Sequence, residues 1–296
     1  GCNEENMVIE RGDSRKGLPF VLGQFGSNST YTQTRTNWAA GMDAKAKMQE
    51  IAALDLGGKP DDYDVTDGKV FSKSDPSKSI SWAKVAQRAI ELGGKFSGKE
   101  MPKDLNPITK WATASIAGTG LIGVAKDKLP KKGVVPALVT AFVKVEVDTE
   151  TGKVEVLDHV EVADCGTAVH PQSLATQIKG GAVMGYGLAL GERYIYDPKL
   201  GISGAVGLHD SKPPTIMDVP SEMTVDHVGS PDTSNPVGAK GVGEPVQGAS
   251  AAAILVAISD ALGGHMFNRT PVVPDMIINA VAGKPQSHKP LAVNTQ

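Results

Sequence analysis

A single carboxylate, Glu244, stands at the start of the most regular helical pattern in the sequence. It follows the glycine-punctuated residues 238–243 and precedes Pro245 and a run of small and apolar residues that ends at Gly263. Proline is favoured in the first turn of a helix and glycine just beyond its end, so the pattern predicts a helix that begins near Glu244. Because the run is apolar around most of its girth, we expect a buried helix with a poorly solvated, fixed carboxylate at its tip. Such a group can act as a general base.

The alternative interpretation of Glu244 is structural, since an acidic residue in the first turn stabilises the helix dipole and often does nothing else. Two other segments could bind a ligand. One lies just before a helical pattern over residues 34–56 and consists of Gly26, Ser27, Asn28, Ser29 and Thr30. Hydroxyls and free N–H groups at a helix N-terminus can bind a phosphate, and ordinary N-capping explains the same residues equally well.

The second segment is a helical pattern over residues 173–190 that contains Gln177 and four glycines, at positions 180, 181, 185 and 187. Glycines weaken a helix, so four of them indicate a surface that something approaches closely. That neighbour is either a flat ligand or the backbone of a second helix. Gln177 offers a donor and an acceptor to whatever lies there.

Composition excludes several function classes. The chain has 296 residues with 30 basic and 33 acidic side chains and no basic block, which argues against nucleic acid as a partner. No apolar run reaches the length of a membrane span. The two cysteines, at 2 and 165, cannot hold an iron–sulfur cluster, and the histidine spacing does not favour a zinc site. We expect a cytoplasmic protein with reduced thiols.

A formal match to the dinucleotide fingerprint, residues 118–123, is rejected. The helix that this motif requires would meet Pro130, and no acidic residue follows at the usual distance. A nicotinamide-dependent enzyme therefore remains only as a rival hypothesis, testable by nucleotide binding.

The remaining patterns predict an α+β fold with mixed or antiparallel sheets and packed helices. Alternation of apolar and polar residues predicts a long hairpin over residues 139–147 and 153–162. An Asp-Gly pair predicts a second hairpin at 67–68. Further predicted strands cover residues 7–9, 193–196 and 223–228. Further predicted helices are one that is capped by Ser79 or Ser81 and runs through Leu92, and one over residues 274–281. Residues 93–136 show little periodicity.

Six landmarks occur in a fixed order along the chain. They are Gly12-Asp13, Gly26-Ser27 with Ser29-Thr30, Asp164-Cys165-Gly166, Gln177-Ile178-x-Gly180-Gly181, Gly241-Val242-Gly243-Glu244, and Arg269-Thr270-Pro271 with Pro274. With these landmarks in this order, the chain resembles the C-terminal half of a molybdenum-binding subunit. The subunit is that of the xanthine dehydrogenase/aldehyde oxidase family, the molybdenum hydroxylases. The resemblance runs from about residue 5 to 283. His170 and Met184 depart from the residues common in the family and affect only the finer cofactor contacts.

The resemblance implies a role for each segment. Glu244 matches the catalytic base, and Gln177 matches a glutamine that hydrogen-bonds the molybdenum cofactor. Residues 26–30 match the loop that holds the phosphates of molybdopterin, expected in its cytosine dinucleotide form. The pocket is also lined by Lys240, Gly241, Val242 and Gly243. No side chain is expected to bind the metal directly, because molybdenum is held through the pterin.

The resemblance also implies an organisation. Residues 1–284 form the second half of the molybdenum-binding domain pair, as two intertwined α+β subdomains of about 1–135 and 136–284, followed by a tail at 285–296. The family's upstream loop and substrate-pocket residues precede the first residue of this chain. We therefore expect another chain carrying the N-terminal half, together with an iron–sulfur subunit and with or without an FAD subunit.

The implied activity is oxidation of an aldehyde or aromatic heterocycle at carbon, with water-derived oxygen and Glu244 as base. Two alternatives remain open from the sequence. One is a carbon monoxide dehydrogenase-like or a reductive, dehydroxylating member of the same family. The other is a non-catalytic scaffold subunit.

Overall fold

A computed structural model describes residues 4–13, 15–16, 18, 23–66, 68–130, 136–267 and 269–285, and within it the chain divides into two units. The first unit comprises residues 1–24 and 32–132, and the second comprises residues 25–31 and 133–296. The short segment 25–31 therefore belongs to the second unit although the first unit flanks it in sequence. Cys2 and residues 286–296 of the expected tail lie outside the described residues.

The first unit is built on a long helix and a small antiparallel sheet. Helix α1 spans Ser29–Leu56 and so begins five residues before the predicted start. Strands β1 (Tyr63–Thr66), β2 (Lys69–Ser72) and β3 (Ser79–Ser81) pair in that order, and helix α2 (Trp82–Leu92) follows. The predicted hairpin is confirmed, since Thr66 pairs with Lys69. Apolar side chains of α1, the strands and α2 form the core of this unit.

One expectation for the first unit is wrong, and one helix lies where the sequence predicted nothing. Residues 7–9 form no strand and are exposed, because no other described strand pairs with them. Helix α3 (Pro107–Ile116) lies in the stretch that showed little periodicity. Its start is fixed by Asn106, whose side chain accepts a hydrogen bond from the Thr109 N–H, and by proline at the first helical position. The rejected fingerprint at 118–123 is followed by irregular chain rather than by a helix.

The second unit is built on a mixed sheet. Strands β4 (Val139–Val147) and β5 (Val154–Asp164) form the predicted antiparallel hairpin, and β6 (Thr224–Val228) pairs with β5 in parallel. A strand at 193–196 was expected, but that stretch forms only an isolated bridge between Tyr196 and Ser203. The sheet, with helices packed on it, confirms the α+β class.

Within the described residues, the second unit contains the helices α4 (Pro171–Tyr186), α5 (Leu208–Ser211), α6 (Gly243–Ala261) and α7 (Pro274–Val281). His170 caps α4, since its Nδ1 atom accepts the N–H of Ser173 at 3.0 Å. A π-helical turn, Gly187–Gly191, extends α4. In the described ranges, no helix is long and apolar enough to cross a membrane.

Helices α4 and α6 pack closely because α4 carries glycines where they meet. A Cβ atom at position 181 would overlap the carbonyl oxygen of Gly243, and one at position 185 would lie 2.6 Å from the Cβ of Ser250. Gly180, by contrast, faces open space. Of the two interpretations of the glycine-rich helix, close approach of a second helix therefore explains Gly181 and Gly185.

Helix α6 is buried on one side only, which corrects the expectation of burial around its girth. Ser250, Ile254 and Ile258 are fully buried, whereas Val256 is 68% exposed. Gly248 and Ala252 lie on the same exposed side. The reason is that the sheet and α4 cover a single face of α6 within the described chain.

Candidate functional site

Three segments of the second unit meet at the start of α6. They are the turn before α1, helix α4 at Gln177, and residues 241–244. A Cβ atom at Gly243 would lie 3.3 Å from the Gln177 Oε1 atom and 3.5 Å from the Ser27 Oγ atom. Three of the segments that the sequence singled out therefore lie side by side.

Ser27 is bonded to both the backbone and the side chain of Glu244. Its Oγ atom accepts the Glu244 N–H at 2.8 Å and donates to Glu244 Oε2 at 3.1 Å. Val242, the residue before α6, provides no side-chain cap. Ser27 therefore accepts a hydrogen bond from one of the N–H groups that a helix leaves unsatisfied at its start. Ser27 lies 217 residues earlier in the sequence than Glu244.

The conformation of the turn explains how Ser27 reaches this position. Gly26 and Ser27 both have positive φ, at 59° and 53°, and the Asn28 N–H bonds to the Phe25 carbonyl at 3.3 Å. This is the pattern of a type I′ turn, which is costly for a serine. Ser27 is nonetheless only 9% exposed. A buried residue held in a strained conformation indicates that its position is fixed by its surroundings.

Glu244 itself is exposed in this chain, so the expectation of a poorly solvated carboxylate is wrong for the chain alone. It lies on the side of α6 that the sheet and α4 do not cover. The expectation that the carboxylate is held in place agrees with the hydrogen bond from Ser27 Oγ to Glu244 Oε2. Both interpretations of Glu244, base and helix-dipole partner, are compatible with this geometry.

The remaining predicted residues belong to the same three segments. Ser29 and Thr30 form the first turn of α1, directly after Asn28. Gly241 is needed for close approach, because a Cβ atom there would overlap the Ser27 carbonyl oxygen. Gln177 is exposed, and its amide bonds to no other described residue. It can therefore donate to and accept from a ligand.

Lys240 is engaged within the protein. Its Nζ atom lies 2.7 Å from Asp164 Oδ2, with the two side chains 8% and 16% exposed. Its backbone N–H donates to the Cys165 carbonyl at 2.8 Å. The hydrogen bond from Lys240 holds the pKa of Asp164 below its ordinary value. The pair ties the end of β5 to the loop before α6, a role that the sequence did not predict although it marked both segments.

We expect Lys240→Met to lower the free energy of unfolding by roughly 1.5–3 kcal/mol at pH 7, the range for hydrogen bonds to charged groups. Asp164 has a lowered folded-state pKa, so the pair stabilises the fold above the unfolded-state pKa and this contribution is lost as pH falls through the folded-state pKa. The difference in the free energy of unfolding between the variant and the wild type should therefore become smaller below about pH 4. Denaturant unfolding at several pH values measures it.

Lys179→Met is the matched control, because Lys179 is an exposed lysine on α4. Lys179→Met should change the free energy of unfolding by no more than about 0.5 kcal/mol at every pH. A Lys240 effect that stays constant down to pH 2 would contradict the ion-pair explanation.

A cavity lies elsewhere in the second unit. Its volume is about 740 Å³, and it is bordered by the start of β5, the π-helical turn and residues 212–221. None of the predicted site residues lines it. Within the described part of the chain, no group of three or more His, Cys, Asp or Glu side chains is arranged to hold a metal ion.

Comparison with known proteins identifies the family. A family model described as the molybdopterin cofactor-binding domain matches residues 1–220. The chain belongs to this family. The matched range of this molybdopterin-binding chain includes residues 26–30 and Gln177 and ends before residues 240–244.

Its relatives are large subunits of molybdenum hydroxylases, which confirms the resemblance. The chain is 27% identical over 289 residues to the nicotine 6-hydroxylase large subunit of Paenarthrobacter nicotinovorans, covering 96% of the chain and 32% of the relative. It is 30% identical over 261 residues to the carbon monoxide dehydrogenase large chain of Hydrogenophaga pseudoflava. This match covers 88% of the chain and 29% of the relative. The quinoline 2-oxidoreductase structure from Pseudomonas putida 86 matches with a TM-score of 0.66 at 26% identity, covering 89% and 31%. The chain thus spans about a third of the length of these relatives.

Proposed function

We propose that this chain holds one side of a molybdenum–pterin cofactor in a heteromeric molybdenum hydroxylase and supplies Glu244 as the base. The reaction is oxidation of an aldehyde or aromatic heterocycle at carbon with water-derived oxygen. The observation that carries the proposal is the contact between Ser27 and Glu244. It brings the candidate base to the candidate phosphate loop, beside the exposed amide of Gln177.

The residues present fit a flat, phosphate-bearing cofactor. Gln177 would hydrogen-bond it, and residues 26–30, at the start of α1, would lie against its phosphates. The backbone of residues 240–243 would border it, where Gly241 already permits contact with Ser27. We expect the cytosine dinucleotide form. When bound, the cofactor supplies activated oxygen and takes up the electrons of the substrate.

The part of Glu244 is to accept a proton. Ser27 bonds both to the carboxylate oxygen Oε2 and to the backbone N–H of Glu244. The two bonds limit the orientations that the Glu244 side chain can adopt. Because Glu244 is exposed in this chain, its proposed role requires the cofactor and a partner chain to exclude water around it. We propose that this partner carries the N-terminal half of the subunit, and that an iron–sulfur subunit, with or without an FAD subunit, receives the electrons.

Cofactor content tests the proposal. The complex purified with its partners should contain about one molybdenum atom per chain by elemental mass spectrometry, and acid hydrolysis should release a cytidine nucleotide. Gln177→Leu should lower cofactor retention about tenfold or more, as loss of a supporting hydrogen bond does at other metal centres. Gln172→Leu, an exposed glutamine on the same helix, should retain it. A fully assembled complex without molybdenum would instead favour a non-catalytic scaffold subunit.

A second candidate is a carbon monoxide dehydrogenase-like activity. It is favoured by the relative with 30% identity, which carries that name. Assaying one molybdenum-loaded preparation with carbon monoxide, with aromatic heterocycles and with aldehydes decides between the candidates. A reductive, dehydroxylating member would show turnover only with a reductant and a hydroxylated substrate.

A further inference from the structure

Four polar side chains are buried together between strand β5 and helices α4 and α6. They are His159 and Glu161 on β5, Tyr186 on α4 and Ser250 on α6, and none is more than 1% exposed. We call them the buried polar cluster. Polar groups at this depth are costly unless they are hydrogen-bonded, so the bonds they make are informative.

A chain of hydrogen bonds links the cluster across all three elements. Ser250 Oγ donates to Glu161 Oε2 at 2.8 Å, and His159 Nε2 lies 3.1 Å from the same oxygen. The Tyr186 hydroxyl lies 2.8 Å from His159 Nδ1. Burial, with the nearby Glu161 carboxyl, raises the pKa of Tyr186, so this hydroxyl keeps its proton.

Stability alone does not account for this cluster. Glu161 Oε1 is buried and has no hydrogen-bond partner among the described protein atoms. A buried polar network that is only partly satisfied stabilises a fold less than apolar side chains of the same volume would. Val246 and Ile254 already supply apolar burial on the same face of α6. Hydrogen bonds, unlike apolar contacts, depend on direction and therefore fix the relative position of the elements that they join.

The elements joined are those that carry the candidate site. Gln177 lies on α4, and Glu244 lies six residues before Ser250, roughly 9 Å along the axis of α6. At the cluster the helices approach closely, because a Cβ atom at Gly185 would lie 2.6 Å from the Ser250 Cβ. A slide of α6 along α4 would have to break the Ser250–Glu161 bond.

We propose that the buried polar cluster sets the position of α6 against α4 and β5, and so holds Glu244 beside Ser27 and Gln177. Glu161 and Ser250 are then positioning residues. The kinetic part of this inference rests on the proposed function, whereas the structural part does not.

The test compares Ser250→Ala and Glu161→Gln with wild type in the assembled complex. Amide hydrogen exchange over residues 243–250 should become at least about tenfold faster, as expected for local opening, with molybdenum content unchanged. In the same preparations kcat should fall about 10–100-fold with KM nearly constant, as a small misplacement of a catalytic group does. Ser259→Ala, another buried serine on α6 outside the cluster, should change neither readout. Exchange in α2 of the first unit should stay as in wild type.

Unchanged exchange over residues 243–250 would overturn the inference, since the cluster would then not position the start of α6. An equal increase of exchange in α2 would also overturn it, since the cluster would then affect only global stability. If Glu161→Gln fails to fold, Tyr186→Phe replaces it as the test variant. It removes only the hydrogen bond between Tyr186 and His159, and it should produce a smaller increase of amide exchange over residues 243–250. Because exchange needs no turnover, it tests the cluster even if Glu244→Gln keeps full activity and the proposed function fails.

Discussion

Replacing Glu244 by glutamine is expected to lower kcat by about 10²–10⁴-fold, the usual contribution of a general base. Glutamine keeps the size of the side chain and can still accept the hydrogen bond from Ser27, but it cannot take up a proton. Cofactor binding should therefore be unchanged. Steady-state kinetics and molybdenum analysis on the same preparation measure the two quantities.

Asp260→Asn is the matched control, because Asp260 is also an exposed carboxylate on α6, at the opposite end of the helix. It should retain wild-type turnover and wild-type molybdenum. A Glu244→Gln enzyme with the wild-type rate would show that the carboxylate serves only the helix dipole, the structural interpretation that the geometry also permits.

The adjacent glycines 180 and 181 are expected to respond to alanine in opposite directions. Gly180 faces open space, so alanine should raise the free energy of unfolding by about 1 kcal/mol through its higher helix propensity. At Gly181 the added carbon would overlap the Gly243 carbonyl oxygen and lie 2.8 Å from Val246. Since a backbone atom must move, we expect a loss of about 3 kcal/mol, the upper end for overpacked sites.

The Gly181→Ala change should also affect the site, because the atom that must move belongs to the first residue of α6. We expect weaker cofactor retention than in wild type, whereas Gly180→Ala should retain it fully. Denaturant unfolding and molybdenum analysis on both variants check this. Equal effects of the two substitutions would show that α4 and α6 are not in the close contact described above.

Local signals in the sequence were sufficient for much of the second unit. The alternation around residues 148–152 predicted the β4–β5 hairpin, and the glycine and proline positions around Glu244 predicted where α6 begins and ends. Helix α3 was missed because it is short and its apolar residues are partly exposed, so its periodicity is weak. Only Asn106 and Pro107 could have indicated its start.

Other features could not be predicted from local patterns. The bond between Ser27 and Glu244 joins residues 217 positions apart, and no periodicity carries that information. The exposure of Glu244 was also misjudged, because an apolar composition does not say how many sides of a helix the rest of the chain covers. The Lys240–Asp164 pair depends in the same way on which loops the fold brings together.

The origin of the Ser27 contact has a consequence for the order in which the molecule can be assembled. During synthesis Ser27 leaves the ribosome 217 residues before the residue at the start of α6 that it binds. Closing so long a loop is slow and entropically costly, so the carboxylate can be fixed only after all of the intervening chain has been made. A cofactor that needs both segments would then bind only after α6 has been made.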